Sequence, residues 1–325
     1  MKVKYQKFNS KRKFGVEFEL SNNLSKRKIK DIIEENSQVK VKTTRYALSY
    51  QNNFWHIKND ASCGPYGTDG CSGVEIATYI CSGLQDANHI SNVINKVSRE
   101  NGKVNKHCGL HVHVDVSDYE EEDVGRLIMY WLQIEKIFMY ALPSSRHNNI
   151  YCRPLSFSID NWVANYFYKS LGNKFVARLF KPKNDPISMT NSKRTTMNIN
   201  NFYQAYDLGS NIRKTIEFRC PEGTLQGDDA KAWIFLFVNF IDYVKFSKKI
   251  PNKFLNKKII SIKDLFNLFG LYHNESFSIY DKNFMHTREW LLNRFIKNSD
   301  IINESTQRML KKEAQTLLDN IHKLN

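Results

Sequence analysis

The sequence contains no apolar run approaching the roughly 18–20 residues that a membrane span needs, so no transmembrane helix is expected. It contains no Gly-x-x-x-x-Gly-Lys pattern, which excludes a P-loop. Internal repeats and low-complexity blocks are missing as well. The stretch Met1-Lys2-Val3-Lys4-Tyr5-Gln6-Lys7 is basic but has no apolar segment behind it, unlike a secretory signal. No CxxC pair occurs among the six cysteines, Cys63, Cys71, Cys81, Cys108, Cys152 and Cys220. Without a secretory signal they read as reduced thiols of a cytoplasmic protein. Cys63 and Cys71 share one glycine-rich loop and could bind zinc, but no four-ligand set is visible.

What is present is a chain of 325 residues, long enough for one large domain or two modest ones. Its 21 Phe, 16 Tyr and 5 Trp argue against disorder. The 48 basic residues outnumber the 33 acidic ones, for a net charge of +15. That excess favours an anionic partner, whether a nucleotide, a nucleic acid or an acidic polymer, or else serves solubility. Lysines cluster at Lys245, Lys248, Lys249, Lys253, Lys257, Lys258 and Lys263, as a solvated face or a nucleic-acid contact.

Three stretches alternate apolar and polar residues at period two, the pattern of a strand with one face on a core. Phe14–Leu20 places Glu17 and Glu19 on the polar face. Leu110–Val116 places His111, His113 and Asp115 there. Thr215–Arg219 places Glu217 and Arg219 there. Between them, residues 39–58 read as two strands with a turn near Gln51-Asn52-Asn53; His56, Lys58 and Asp60 oppose Trp55 and Ile57. A strand over 73–79 carries Glu75. The loop Cys63–Gly73, with four glycines, is a flexible connection or a lid. Arg194 and Asn198 share the polar face of a further strand over 194–200.

Helices are expected from a Ser25 cap to about 36, at 86–100, from an Asp118 cap to about Leu142, and at 160–171. Another runs from Asp228 or Asp229 to about Ser247, and the polar remainder holds helices at 262–270, 284–297 and 303–323. Strands with one buried face each, next to helices, argue an α+β architecture: a mainly antiparallel sheet with helices on one side.

Glu17, Glu19, Glu75 and Glu217 would repel one another if packed bare, and their pKa values would rise. Divalent cations resolve this. Carboxylates suit Mg²⁺ or Mn²⁺, an imidazole is compatible with Mn²⁺ or Zn²⁺, and two metals roughly 4 Å or more apart could share the set. Arg219 would then meet an anion that also touches the metals, such as a nucleotide phosphate.

Taken in order, Gly15-Val16-Glu17-Phe18-Glu19, Trp55 with Asp60, Gly73-Val74-Glu75, Cys108-Gly109-Leu110-His111-Val112-His113, and Glu217-Phe218-Arg219 with Gly223-Thr224-Leu225 resemble the amidoligase family. That family belongs to the glutamine-synthetase-like carboxylate–amine ligases. The resemblance spans about 13–245 and leaves 250–325 outside. It implies a curved sheet of the glutamine-synthetase catalytic-domain type over 1–248, with 249–325 a helical extension packed on it. It also implies a ligase that uses ATP and Mg²⁺, with Mn²⁺ an option, to turn a carboxylate into an acyl phosphate that an amine then displaces. By the same resemblance Glu17, Glu19, His111 and Glu217 are metal ligands, with Glu75 a further one. His113 lies toward the nucleotide and Arg219 meets phosphate. Asp60, Arg194 and Asn198 are candidates for substrate or phosphate contacts. Glu217, Arg219 and His113 form the catalytic set. The partners implied are ATP, a carboxylate and an amine; a peptide, a polyamine, a cell-wall precursor or a modified nucleobase would fit.

Three other readings fit parts of the pattern. A metal-dependent hydrolase would use His111, His113 and acidic ligands to activate water and would need no nucleotide. A basic nucleic-acid-binding protein would bind with steep salt dependence. A cysteine nucleophile at Cys108 or Cys220 competes with a plain packing role for both.

Overall fold

The computed structural model describes residues 11–21, 24–44, 53–63, 73–147, 149–155, 194–203, 214–247, 261–269, 271, 282–298 and 305–322. The expected helix at 160–171, the loop residues 64–72 and the lysines 248–258 lie outside these residues. The chain divides into two compact units, each described by itself. One is formed by Phe8–Asp115 and Glu217–Val238, the other by Val116–Ile216 and Asn239–Asn325 together with the first seven residues.

The first unit is built on a mixed, mostly antiparallel open sheet, as its alternating sequences require. Its strands are β1 (Lys13–Leu20), β2 (Val41–Thr43), β3 (Trp55–Asp60), β4 (Gly73–Ala77), β5 (Cys81–Ser82) and β6 (Leu110–Asp115). They run in the order β2-β3-β4-β1-β6, with the Glu217–Phe218 end of β8 (Thr215–Phe218) next to β6 and β5 paired with the start of β1. β1 is antiparallel to β4, β5 and β6, and β3 is antiparallel to β4. β2 and β3 are parallel. The two strands expected within 39–58 are therefore not partners across a tight turn, because a parallel pair needs a crossover connection.

The register places the chemistry. Glu17 sits opposite His111 and Gly15 opposite His113. Lys58, Glu75 and Glu19 form one row across β3, β4 and β1. The alternate residues Phe14, Val16, Phe18 and Leu20, with Leu110, Val112 and Val114, are all buried. Each such side chain contributes about 1.5–3 kcal/mol relative to exposure, so a one-residue slip, which would turn the histidines inward and the valines out, is strongly disfavoured.

Helix α1 (Lys26–Asn36) begins at the expected cap: the Ser25 hydroxyl accepts from Lys28 N–H. It buries Ile29, Ile32 and Ile33. Helix α2 (Gly83–Arg99) starts three residues before expectation, with Asp86 in its first turn accepting from Ser82 N–H, and buries Ile90, Val93, Ile94 and Val97. Close backbone approach explains two glycines. A Cβ on Gly73 would come within 2.5 Å of Cys63 Cβ and 2.8 Å of the Asp60 carbonyl oxygen. One on Gly223 would come within 2.6 Å of Cys108 Cβ.

The second unit contains α3 (Glu121–Met139), α4 (Ser144–His147), β7 (Met197–Asn198), α6 (Ile262–Leu268), α7 (Lys282–Lys297) and α8 (Ser305–His322). Helix α5 (Gly227–Phe246) enters it at Asn239. Glu120, not Asp118, caps α3, and Asp123 accepts from the Glu120 N–H. Asp118 instead offers its backbone carbonyl to Lys245 Nζ, which also pairs with Asp123 at 2.7 Å. That lysine thus serves the fold, whereas Lys263 is exposed. The Glu135 carboxylate, wholly inside, accepts from Trp131 Nε1 (3.0 Å), Leu155 N–H (2.6 Å) and Thr196 Oγ1. The expected C-terminal helices are present: Ser261 caps α6, and Leu310, Ala314, Leu318 and Ile321 line the buried face of α8. Among the described residues no helix is long and apolar enough to cross a membrane.

Candidate active site

β1, β6 and the end of β8 bring Glu17, Glu19, His111, His113, Glu217 and Arg219 onto one polar face within the first unit. His111 is nearly enclosed and lies among three carboxylates. Its Nδ1 is 3.1 Å from Glu17 Oε2 and 3.7 Å from Glu217 Oε1, and its Nε2 is 3.4 Å from Glu19 Oε1. His113 Nε2 lies 3.4 Å from Glu17 Oε1 and 3.7 Å from Glu217 Oε1. The Arg219 guanidinium pairs with Glu217 and reaches His111 Nδ1 at 3.4 Å. The backbone N–H of Gly109 donates to Glu19 Oε2 at 2.6 Å, so the glycine of the Gly-Leu-His-Val-His run aims a first-strand carboxylate.

Two opposing effects set the charges. Burial pushes the Glu17 carboxyl up, but the imidazoles of His113 and His111 outweigh it and hold it well below the usual carboxylate range. Burial likewise pushes Glu217 up, and His113, Arg219 and His111 together bring it below its ordinary value. For His113, burial favours the neutral ring, yet Glu17 and Glu217 raise its pKa to about 9. Glu75 goes the other way: burial and then Glu17 raise its carboxyl well above the ordinary value, against the pull of Lys58. Lys58 Nζ holds Glu75 Oε1 at 2.6 Å.

The fit of a metal can be judged from the donors. One atom each of Glu17, His113 and Glu217 lie within 4.8 Å of one another. His113 Nε2 is buried, forms no close hydrogen bond and faces two carboxylates at 3.4 and 3.7 Å. Two hard oxygen donors and one imidazole suit Mn²⁺ or Zn²⁺, and the oxygens suit Mg²⁺. The residues present fit a divalent cation.

The remaining candidates divide. Asp60 Oδ1 accepts from Ser62 N–H (2.8 Å) and Ser62 Oγ (2.6 Å), and Asp60 groups with Glu19 and Cys63. Arg194 and Asn198 belong to the second unit. There the Arg194 guanidinium lies 5.0 Å from the Tyr151 ring centroid, and Asn198 Oδ1 accepts from Asn200 N–H. Lys58 was not singled out by the sequence. Its sharing a face with Asp60 was the signal, and only the register shows that it meets Glu75. Among the described residues Cys63, Cys81, Cys108, Cys152 and Cys220 are buried and in no disulfide.

A solved bifunctional glutathione synthetase from Pasteurella multocida is similar at 13% identity and a TM-score of 0.36, over 95% of this chain and 48% of that one. The chain thus spans about half the length of that protein, and a likeness so distant carries no weight for fold or activity. Compared with curated proteins, the chain matches none. The family described as "Putative amidoligase enzyme" matches residues 10–241, a span that holds every residue of the polar cluster. With most of its length matched and Glu17, His111, His113, Glu217 and Arg219 gathered on one face, the chain belongs to the amidoligase enzyme family.

Proposed function

We propose that the protein is an ATP- and Mg²⁺-dependent carboxylate–amine ligase that makes an amide bond through an acyl phosphate. The observation that carries this reading is the buried set of Glu17, Glu217 and His113 donors with Arg219 beside them, in a chain of amidoligase membership. Residues 1–248 form the catalytic domain and 249–325 the helical extension.

Glu17, Glu19 and Glu217 would hold the cation, with His111 and His113 among them, and Glu75, paired with Lys58, would be a further ligand. Bound there, Mg²⁺ or Mn²⁺ supplies charge neutralisation for phosphate oxygens and for the crowded carboxylates. His111, between Glu17 and Glu19, keeps two like charges aimed without direct repulsion. Arg219 brings a permanent cation to the rim, its side chain 17% exposed, where phosphoryl oxygens gather charge. Asp60, and Arg194 and Asn198 of the second unit, are proposed to meet phosphate or substrate.

In the first step a substrate carboxylate oxygen attacks the γ-phosphorus, and the bond to the departing ADP oxygen breaks. In the second, an amine nitrogen attacks the acyl carbon. Phosphate leaves with its C–O bond electrons, and the amine loses a proton. The test is nucleotide turnover. ATP hydrolysis that needs both a carboxylate and Mg²⁺, with a hydroxamate formed when hydroxylamine replaces the amine, supports the reading. It also requires Mg²⁺-dependent ATP binding that Glu217→Ala abolishes.

The meeting of His111 and His113 with Glu17 and Glu217 favours a second reading, a metal-dependent hydrolase that uses these histidines and acidic ligands to activate water. Substrate cleavage that persists without ATP would establish this and sink the ligase.

A further inference from the structure

The Pro221-Glu222-Gly223-Thr224-Leu225 turn follows the Glu217–Arg219 pair, and none of its residues has a role in the cation cluster. It is nevertheless built onto the same face of the first unit. Glu222 lies directly opposite Gly109 as an antiparallel bridge. Leu110 N–H donates to the Pro221 carbonyl at 3.3 Å, and Gly223 N–H to the Cys108 carbonyl at 2.9 Å. These two bonds flank the Gly109–Glu222 pair, the arrangement in which opposed residues come closest and share one face. Leu110 belongs to the core and His111 to the polar cluster, so position 109, and Glu222 with it, belongs to the cluster's face. Glu222 comes three residues after Arg219, an odd step that strict alternation would send to the other face. Cys220 and Pro221, both buried, thus hold one residue more than alternation allows. That is a β-bulge, a device that re-aims a side chain beside a site. The bulge is braced. A Cβ on Gly223 would come within 2.6 Å of Cys108 Cβ, and the Cys108 thiol meets Cys63. Glu222 is half-buried, with its Oε2 inside.

We propose that Glu222 recognises the amine substrate in its ammonium form, so that this enzyme takes amines that are cations at neutral pH. The proposal rests on the ligase reading. Glu19 N–H donates to the Gly109 carbonyl at 3.2 Å, so Glu19 and Glu222 flank Gly109 from opposite strands. Glycine puts no side chain between them and leaves a gap floored by backbone. Along β6 that gap is two residues, about 7 Å, from His111. Among the described residues Glu222 belongs to no group of three donors close enough to share an ion, and a divalent cation such as Mg²⁺ demands more oxygens than one carboxylate supplies. A primary ammonium is met by a single carboxylate through a charge-assisted hydrogen bond. Bound there, it sits at the margin of the cluster, beside the acyl phosphate that its nitrogen attacks. The net charge of +15 disfavours ammonium ions over the surface at large, so one carboxylate held at this place gives position as well as attraction.

The probes are butylamine, an ammonium ion at neutral pH, and 1-butanol, its uncharged counterpart. Each is titrated calorimetrically into the full-length protein in excess Mg²⁺, so that the amine cannot stand in for the metal. Butylamine should bind saturably at one site and butanol should not. Glu222→Gln should weaken butylamine about 10- to 100-fold, the effect of losing one charge-assisted hydrogen bond, and Glu222→Asp should fall between it and the wild type. Glu222→Ser is made beside Glu222→Gln, so that either folded variant decides. No saturable butylamine binding in the wild type overturns the proposal, as do butanol binding equally well and variants that bind butylamine like the wild type. Loss of Mg²⁺ binding in Glu222→Gln would make the residue a metal ligand and overturn it too. Binding is read without nucleotide. Its failure leaves the turnover test of the ligase standing, and a failure of ATP turnover leaves the butylamine result to be read by itself.

Discussion

His113 carries a proton that a metal must displace. Glu17 and Glu217 hold its pKa at about 9, so at pH 7, two units below, about 1% of the rings are neutral. Freeing the nitrogen then costs about 2.7 kcal/mol, at 1.36 kcal/mol per unit. The carboxylates add no such cost at neutral pH, because both Glu17 and Glu217 are held below their ordinary range. Mn²⁺ affinity should therefore rise about 50-fold between pH 7 and pH 9 and level off, about 100-fold up, above pH 10, with a slope near one proton per ion well below pH 9. Calorimetric titration in two buffers of different ionisation enthalpy counts that proton directly. About one should be released per ion at pH 7, and almost none above pH 10. His113→Gln should flatten the profile. Binding that releases no proton at pH 7, or a slope that the variant leaves unchanged, would refute the coupling and remove His113 from the ligand set.

The same groups give the metal-free protein a pH signature. His113 is raised above its unfolded value of about 6.5, so its contribution is complete below that pH and is lost as pH climbs through about 9. Glu17 and Glu217 are depressed, so theirs is present above about pH 4.5 and is lost as pH falls through their folded values. Thermal melts in chelator should fall from pH 7 to pH 10 by the equivalent of up to about 3 kcal/mol, and Mn²⁺ should suppress the fall; a flat profile would contradict the assignment. Lys58→Met leaves the buried Glu75 without its ammonium and should cost about 2 kcal/mol in denaturant unfolding, most of it recovered by adding Glu75→Gln. No loss in the single variant would show that the pair contributes nothing.

The legible parts of this fold share one property: their signal is local. Period-two alternation at Phe14–Leu20 and Leu110–Val116 decides which side chains leave the core, so the meeting of Glu17, Glu19, His111 and His113 on one face could be read in advance. The Ser25 cap and the buried stripe of α1 are equally local. What escaped reading depends on register or direction. A strand alternates in the same way whether its neighbour runs parallel or antiparallel, so the β2–β3 pairing was invisible. Lys58 finds Glu75 only because β3 and β4 align as they do. Cys63 has its nearby partner in Cys71 by sequence, yet its thiol meets Cys108, brought in by β6. At α3 the expected cap was Asp118, whereas Glu120 takes that place. Asp118 lies two residues before the cap, and its backbone carbonyl accepts from Lys245, a contact from a helix more than a hundred residues away.

Asp60 and Gly73 face each other across β3 and β4, so the chain leaves the sheet and returns to it at neighbouring points. Gly73 can make that return only because it has no side chain to collide with Cys63 and the Asp60 carbonyl. The two anchors, not the residues between them, carry the register of the carboxylate row. Closing a loop between fixed ends costs only about 0.6 kcal/mol more for each doubling of its length. Relatives could therefore exchange or lengthen this connection, and with it whatever it presents to a substrate, while Lys58, Glu75 and Glu19 keep their places. Evolutionary change in what is joined and stasis in how it is joined would then be separated by a single glycine.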